Sequence, residues 1–266
     1  MLFDYAKRFL ANIFKPRPAA LTPSPRAEYK DRQFFFLHIP KTAGTSFRLE
    51  LEQHFDEAFI LPNKTLRQEI GGYPPFSYIA DLSQQQFNNF KLISGHYQYR
   101  EAIERFSQHP LILLMMREPL SRCLSECRHI LRHADHDMRA FLPSDPSLID
   151  ISKSHEVMHY LANVVSMMLL PDLNESKQLI RNCAFVGIQE RMQESSLLLA
   201  DTFGWPAGDI PSLNAAPQSQ QALAQQLSAI ELQRFKKILE PEYELYNYAC
   251  ELFESRLART TLNQSA

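Results

Sequence analysis

The sequence predicts an α/β fold, a three-layer sandwich with a central parallel sheet. Three observations carry that expectation. Short, continuous apolar runs alternate with helical patterns along the chain, as strands buried on both faces and their crossover helices would. The first apolar run ends in a turn of Lys, Thr, Gly and Ser that opens a helix, the layout of a P-loop-like anion site. The chain has 266 residues, 45% of them hydrophobic and 22% charged, enough to bury a sizeable core.

The elements follow in order. Residues 1–32 read as an N-terminal amphipathic segment and a Pro-rich linker. Leu2, Phe3, Phe9, Leu10, Ile13 and Phe14 oppose Lys7, Arg8 and Lys15, and prolines crowd the stretch from Pro16 to Pro25. That segment is expected to pack on its own domain or a partner; peripheral contact with a membrane surface is the alternative. Phe34–Ile39 is the first strand, Pro40–Ser46 the turn, and Ser46 to about His54 the first helix. Ile60–Asp81, with Gly71, Gly72, Pro74 and Pro75, reads as loop. Ser83 is expected to cap a short helix through Phe87. Lys91–Ser94 and Pro110–Met116 are the next strands, and a helix runs from Pro119 to about Arg132. His133–Ile151 reads as loop. Helices are expected over Ser152–Leu170 and Asn174–Asn182, a fourth strand over Cys183–Gly187, and a helix over Glu190–Phe203. Residues 204–226 are irregular, and helices over about 227–239 and 241–258 close the chain. The main domain is therefore placed at 33–258, with a C-terminal tail at 259–266.

Charge and cysteine content narrow the function. A net charge of −2 argues against nucleic acid as partner, so any grip on a polyanion must come from local basic residues. Cys123, Cys127, Cys183 and Cys250 form no paired framework and are expected to be reduced thiols in a cytoplasmic setting. No stretch has the length of a membrane-spanning helix.

Chemistry begins at the first turn. Helix N-terminal amides and the positive end of the helix dipole face whatever sits there. Gly44 is expected to let backbone approach a ligand, Lys41 supplies a mobile charge, and Thr42, Thr45 and Ser46 supply hydroxyl donors. The nucleoside triphosphatase loop has its Lys after the second Gly; here Lys41 precedes Gly44. No acidic magnesium ligand follows a later strand, because Met116 leads into Arg117. Lys and Arg without a metal carboxylate suit a phosphosulfate better than Mg–ATP.

His38-Ile-Pro-Lys-Thr-Ala-Gly-Thr-Ser46 resembles the 5′-phosphosulfate loop of the carbohydrate sulfotransferases, nearest the group of heparan sulfate 2-O-sulfotransferase and its bacterial relatives. Arg117-Glu-Pro-Leu-Ser-Arg-Cys-Leu-Ser125 resembles that family's 3′-phosphate motif. Phe185–Arg191 and Glu244–Ala249 extend the resemblance more softly, so that it spans about residues 33–253. The resemblance implies that 3′-phosphoadenosine 5′-phosphosulfate (PAPS) is the donor and 3′-phosphoadenosine 5′-phosphate (PAP) the product. It implies that Lys41, Thr42, Ala43, Gly44, Thr45 and Ser46 hold the 5′-phosphate, that Lys41 also steadies the leaving oxygen, and that Arg117 and Ser125 hold the 3′-phosphate. Arg122 either assists or forms a salt bridge.

The transfer needs a base near the acceptor hydroxyl, and His96, in Ser94-Gly-His96-Tyr-Gln-Tyr99 just past a strand, is the choice. A purely structural His96 is the competing reading. His38 is expected to be a satisfied buried histidine. His129, His133 and His136 with Asp135 and Asp137 resemble a metal cluster but read as a solvated helix end and polar loop, so no metal is assigned. Lys64, Arg67 and Arg105 read as surface charge. The expected acceptor is a hydroxyl of a saccharide or glycolipid. A kinase-like nucleotide enzyme and a non-catalytic PAP- or PAPS-binding protein of the same fold are the alternatives.

Overall fold

A computed structural model describes Tyr29, residues 31–206 and residues 224–264, with side chains through Thr260. The amphipathic segment, the Pro-rich linker and most of the irregular stretch after Gly204 lie outside the described residues.

Five parallel strands form the sheet. They are β1 (Phe34–Leu37), β2 (Ile60–Leu61), β3 (Leu92–Gly95), β4 (Leu111–Met116) and β5 (Phe185–Ile188), in spatial order β2-β3-β1-β4-β5. All strand residues are buried, which is why they read as unbroken apolar runs. Flanking helices make the arrangement compatible with the expected three-layer sandwich. The strands pair in one register: Leu37 lies opposite Gly95 on one side and Leu114 on the other. The chain leaves β1 toward β3 on one side and β4 on the other. The carboxyl end of β1 is therefore the topological switch point, the usual ligand position of an open parallel sheet.

The helices in chain order are α1 (Gly44–Glu52), α2 (Lys64–Ile70), α3 (Phe76–Asp81), α4 (Gln84–Asn89), α5 (Tyr99–Ile103), α6 (Pro119–Arg132), α7 (Leu148–Lys153), α8 (His155–Met168), α9 (Leu173–Asn182), α10 (Met192–Phe203), α11 (Ala229–Ile238) and α12 (Glu240–Gln264). Local signals explain their ends. Ser83 and Gln86 form a capping box at α4, as do Ser228 and Glu231 at α11. Pro119 opens α6, with the Glu118 carboxylate accepting from the amides of Leu120 and Ser121. Gly204 ends α10 in the left-handed region.

Several expectations need correction. Ile60–Asp81 is not loop: it holds β2, α2 and α3. Asn63 caps α2 and Gly71 ends it at φ 72°, so the glycine that suggested loop is a helix stop. The sheet gains a fifth strand because Ile60 and Leu61 pair with Leu92 and Ile93. His133–Ile151 contains a 3-10 turn (Asp137–Phe141) and α7, which is started by a Ser147–Asp150 capping box. The helix expected over Ser152–Leu170 breaks at Ser154, which caps α8. The last helix continues to Gln264, past the boundary placed at 258.

Two apolar clusters result. The larger one surrounds the sheet. A second joins α6, α7, α8 and α11 through Cys123, Cys127, Ile130, Ile151, Leu161 and Phe235. Between α6, α8 and α12 sits Arg122, fully buried, with Nη2 donating to Glu242 at 2.7 Å and to the Leu161 carbonyl at 3.2 Å. Burial opposes its charge, but the Glu242 carboxylate outweighs that and raises its pKa. Arg122 is therefore a salt-bridge residue, although its Nη1 has no hydrogen-bond partner among the described residues. Arg67 and Arg105 are also not free surface charge. Arg67 donates to Glu52 (2.7 Å) and the Pro62 carbonyl (2.8 Å), tying α2 to α1. Arg105 donates to the Leu82 carbonyl (2.6 Å) and lies over the Phe87 ring.

Candidate functional site

Three motifs separated in sequence meet at the carboxyl ends of three adjacent strands. The Pro40–Ser46 turn follows β1, His96 follows β3, and Arg117 follows β4. Two hydrogen bonds join them. Arg117 Nη1 donates to the Lys41 carbonyl at 2.9 Å, across 76 residues. His96 Nδ1 donates to the His38 carbonyl at 2.7 Å, across 58.

The turn is strained where the sequence did not signal it. Lys41 and Ala43 both have positive φ, 66° and 63°, a conformation that costs an L-residue about 1–2 kcal/mol. Two bonds offset this: the charged one from Arg117, about 1.5–3 kcal/mol, and Thr42 Oγ1 to the Ile39 carbonyl at 2.9 Å, about 1 kcal/mol. Such strain persists where surrounding contacts over-determine it, and it concentrates at functional turns. Thr42 is buried and its hydroxyl proton is committed inside the turn. Of the other expected donors, Ser46 is buried and Thr45 exposed.

Gly44 leaves room for a neighbouring ring within the turn. A Cβ there would lie 1.9 Å from His38 Nε2 and 2.0 Å from its Cδ2. The space a side chain would fill is occupied by the imidazole of His38. That ring is buried as expected, stacks on Phe36 (5.1 Å between centroids), and shares a 2.9 Å hydrogen bond with the Tyr73 hydroxyl through Nδ1. Burial, with the nearby His96, Arg48 and Lys41 charges, holds its pKa well below the usual histidine value.

His96 is exposed to solvent, with the rings of His38 (4.3 Å) and Tyr73 (4.9 Å) beside it. A carbonyl only accepts, so the bond to His38 places the proton on Nδ1 and leaves the lone pair on Nε2. Burial lowers the pKa of His96; the His38 carbonyl and the Glu126 charge oppose that, and Lys41 adds to it. Burial also lowers the pKa of Lys41, with Glu126 opposing and Arg117 adding. Nδ1–H fixed and Nε2 open is the state a general base requires.

Arg117 is buried, and its Nε has no hydrogen-bond partner among the described residues. A buried guanidinium with a donor to spare is suited to an anion. Ser125, two turns into α6, is half-buried. Glu118 and Glu190 also lie near Arg117 and hold its charge against the lowering effect of burial. Both carboxylates are occupied: Tyr243 donates to Glu118 at 2.5 Å, while the Glu118 amide and Tyr246 each donate to Glu190 at 3.1 Å.

Sequence reasoning missed three residues of this site. Tyr73, from the stretch read as loop, reaches His38 and His96, and the Arg48 guanidinium lies 5.1 Å from its ring centre. Glu126 follows Ser125 on α6, and its charge acts on both Lys41 and His96. The rings of His129, His133 and His136 do gather, at 4.2 and 5.5 Å from His129. His136 Nδ1, however, accepts from the Met138 amide, and its Nε2 faces Glu126 at 3.4 Å. A groove of about 510 Å³ lies between α11 and α12, lined by Lys236, Lys237, Glu240 and Tyr243 among others, with Glu244 and Asn247 from the Glu244–Ala249 stretch; none of Lys41–Ser46, His96, Arg117 and Ser125 lines it. Among the described residues no helix is long and apolar enough to cross a membrane. In comparison with known proteins, the chain matches no family model and no curated protein.

Proposed function

We propose that this protein is a sulfotransferase that moves a sulfuryl group from PAPS to an acceptor hydroxyl, with His96 as base. The observation that carries the reading is the meeting of the Lys41 turn, His96 and Arg117 at the switch point, joined by the Arg117–Lys41 and His96–His38 hydrogen bonds. The turn serves as a P-loop-like phosphosulfate loop. Lys41 and the backbone from Thr42 to Ser46 face the 5′-phosphate, with Thr45 and Ser46 adding hydroxyls. Arg117, through its unpartnered Nε, and Ser125 take the 3′-phosphate, the group that distinguishes PAPS from ATP.

PAPS supplies the sulfuryl group: the acceptor oxygen bonds to sulfur, the sulfur–oxygen bond to the 5′-phosphate breaks, and the sulfate ester, PAP and one proton are released. His96 Nε2 takes the hydroxyl proton while its Nδ1–H stays on the His38 carbonyl. Lys41 meets the charge that grows on the departing oxygen. Tyr73, beside both histidines, walls the acceptor side. A saccharide or glycolipid hydroxyl in the cytoplasm is the acceptor that the motif resemblance favours.

The test pairs binding with turnover. PAP and ATP are titrated against the protein and its Arg117→Ala variant, and labelled PAPS is offered with a panel of glycans and lipids. PAP should bind at least tenfold more tightly than ATP, and Arg117→Ala should remove that preference. His96→Ala should keep PAP binding and lower transfer by about a hundredfold or more. ATP binding as tight as PAP, with Arg117→Ala silent, would sink the sulfotransferase reading. PAP binding without transfer to any acceptor would favour a binding protein.

A further inference from the structure

The amino end of α1 carries no side-chain cap. Ala43 stands at the cap position and offers the first amides nothing to bond, so the N–H groups of the first turn are left for another partner. Many helices start this way. Here a buried side chain reaches the same place. His38 is 4% exposed, and the edge of its ring that holds Nε2 is turned on Gly44, the first residue of α1: a Cβ there would lie 1.9 Å from Nε2 and 2.0 Å from Cδ2. Among the described residues the ring's hydrogen bond is the one with Tyr73, at Nδ1 and 2.9 Å; Nε2 has none.

The chemistry of that one bond fixes the tautomer. A phenol is a far stronger acid than a neutral imidazole N–H, and an imidazole nitrogen is a far stronger base than a phenol oxygen. Tyr73 therefore donates and Nδ1 accepts, which puts the ring's proton on Nε2. Burial disfavours a second proton, so Nδ1 stays free to accept. An enclosed N–H without an acceptor thus lies beside an uncapped helix end. Enclosed donors in folded chains are matched, and a single anion would match both.

We propose that His38 is a binding residue of the Lys41 turn: its Nε2–H, set by Tyr73, donates to a tetrahedral oxyanion seated on the first amides of α1. Tyr73 is the positioning residue, since it acts through His38. The oxyanion is the phosphate or the sulfuryl group at the 5′ end of the donor, so the inference rests on the sulfotransferase reading for the name of its ligand.

The experiment is NMR of isotope-labelled histidine rings in the parent chain, with His38 assigned through its contacts to the Phe36 and Tyr73 rings. Without ligand, Nε2 should be the protonated nitrogen and Nδ1 the bare one. PAP, PAPS and inorganic phosphate are then added in separate samples. The Nε2–H signal should move to low field while the tautomer stays. Movement with PAP puts the 5′-phosphate on His38; movement with PAPS alone puts the sulfuryl group there. In the binding assay, His38→Phe keeps a ring and loses the donor, and should weaken PAP about tenfold or more. His38→Gln carries an amide N–H of similar reach and should restore most of that loss. A ring that only fills space would lower the stability of both variants and leave the affinity of the folded protein unchanged. A proton on Nδ1, or an Nε2–H that none of the three ligands moves, overturns the proposal, and neither result needs a variant to fold. If Nε2–H responds while PAP is not preferred over ATP, the binding residue stands and the sulfotransferase reading falls. If PAP is preferred and Nε2–H is silent, the reading stands and this inference falls.

Discussion

Replacing Gly44 with alanine tests how the turn is built. The new Cβ would sit 1.9 Å from His38 Nε2, where ordinary contact begins at 3.4 Å, so the ring would have to retreat by about 1.5 Å. It has little room. His38 is 4% exposed, stacked on Phe36, bonded to Tyr73 and flanked by the His96 ring. Overpacking of this kind costs about 1–3 kcal/mol, and losing the Tyr73 bond adds about 1. The expected total is about 2–4 kcal/mol, read by urea unfolding and as a fall in Tm of roughly 4–16 °C. The decisive assay is the double-mutant cycle with His38→Ala. Removing the ring should let the alanine fit, so the two changes together should cost at least 1 kcal/mol less than their sum. Additivity within about 0.5 kcal/mol would refute the claim that Gly44 exists to seat His38.

Two further predictions concern stability. Below about pH 6.5 the unfolded chain binds a proton at His38 that the folded chain refuses, since burial holds the folded pKa low. The unfolded state then holds more protons, so stability drops as the pH is lowered, by up to ~1.4 kcal/mol per unit in that window, and His38 contributes nothing to the slope above it. Unfolding midpoints at about pH 7.5 and about pH 5.5 should show a smaller difference in His38→Gln; an equal difference would contradict the assignment. Separately, Glu242→Gln leaves the Arg122 charge buried and unpaired, which should cost about 3–5 kcal/mol in chemical denaturation. The double change Arg122→Met with Glu242→Leu should recover most of that, and a loss under about 1 kcal/mol in the single variant would show the pair to be dispensable.

Most of the sheet, and the place of the three motifs just past its strands, were legible because their signals are local. Phe34–Leu37 and Leu111–Met116 announce buried strands by being apolar at every position. Ser83 and Pro119 marked helix starts for the same reason: a cap acts on amides two or three residues away. The short elements between Ile60 and Asp81 were hidden because Gly71 and Pro75, which end one helix and begin another, look the same in a loop.

What the amino-acid order determined by itself was the succession of elements, the caps that bound several of them, and three basic or imidazole motifs, each just beyond a strand. Which atoms of those motifs are available was decided only by tertiary structure. The proton on His96 Nδ1 depends on a carbonyl 58 residues earlier. Arg122 pairs with a carboxylate 120 residues later, and the space beside Gly44 is filled by the His38 ring. Strand and cap patterns depend on neighbours in sequence. A hydrogen-bond partner or a buried charge depends on neighbours in space, which exist only once the strands have paired and the helices have closed over them.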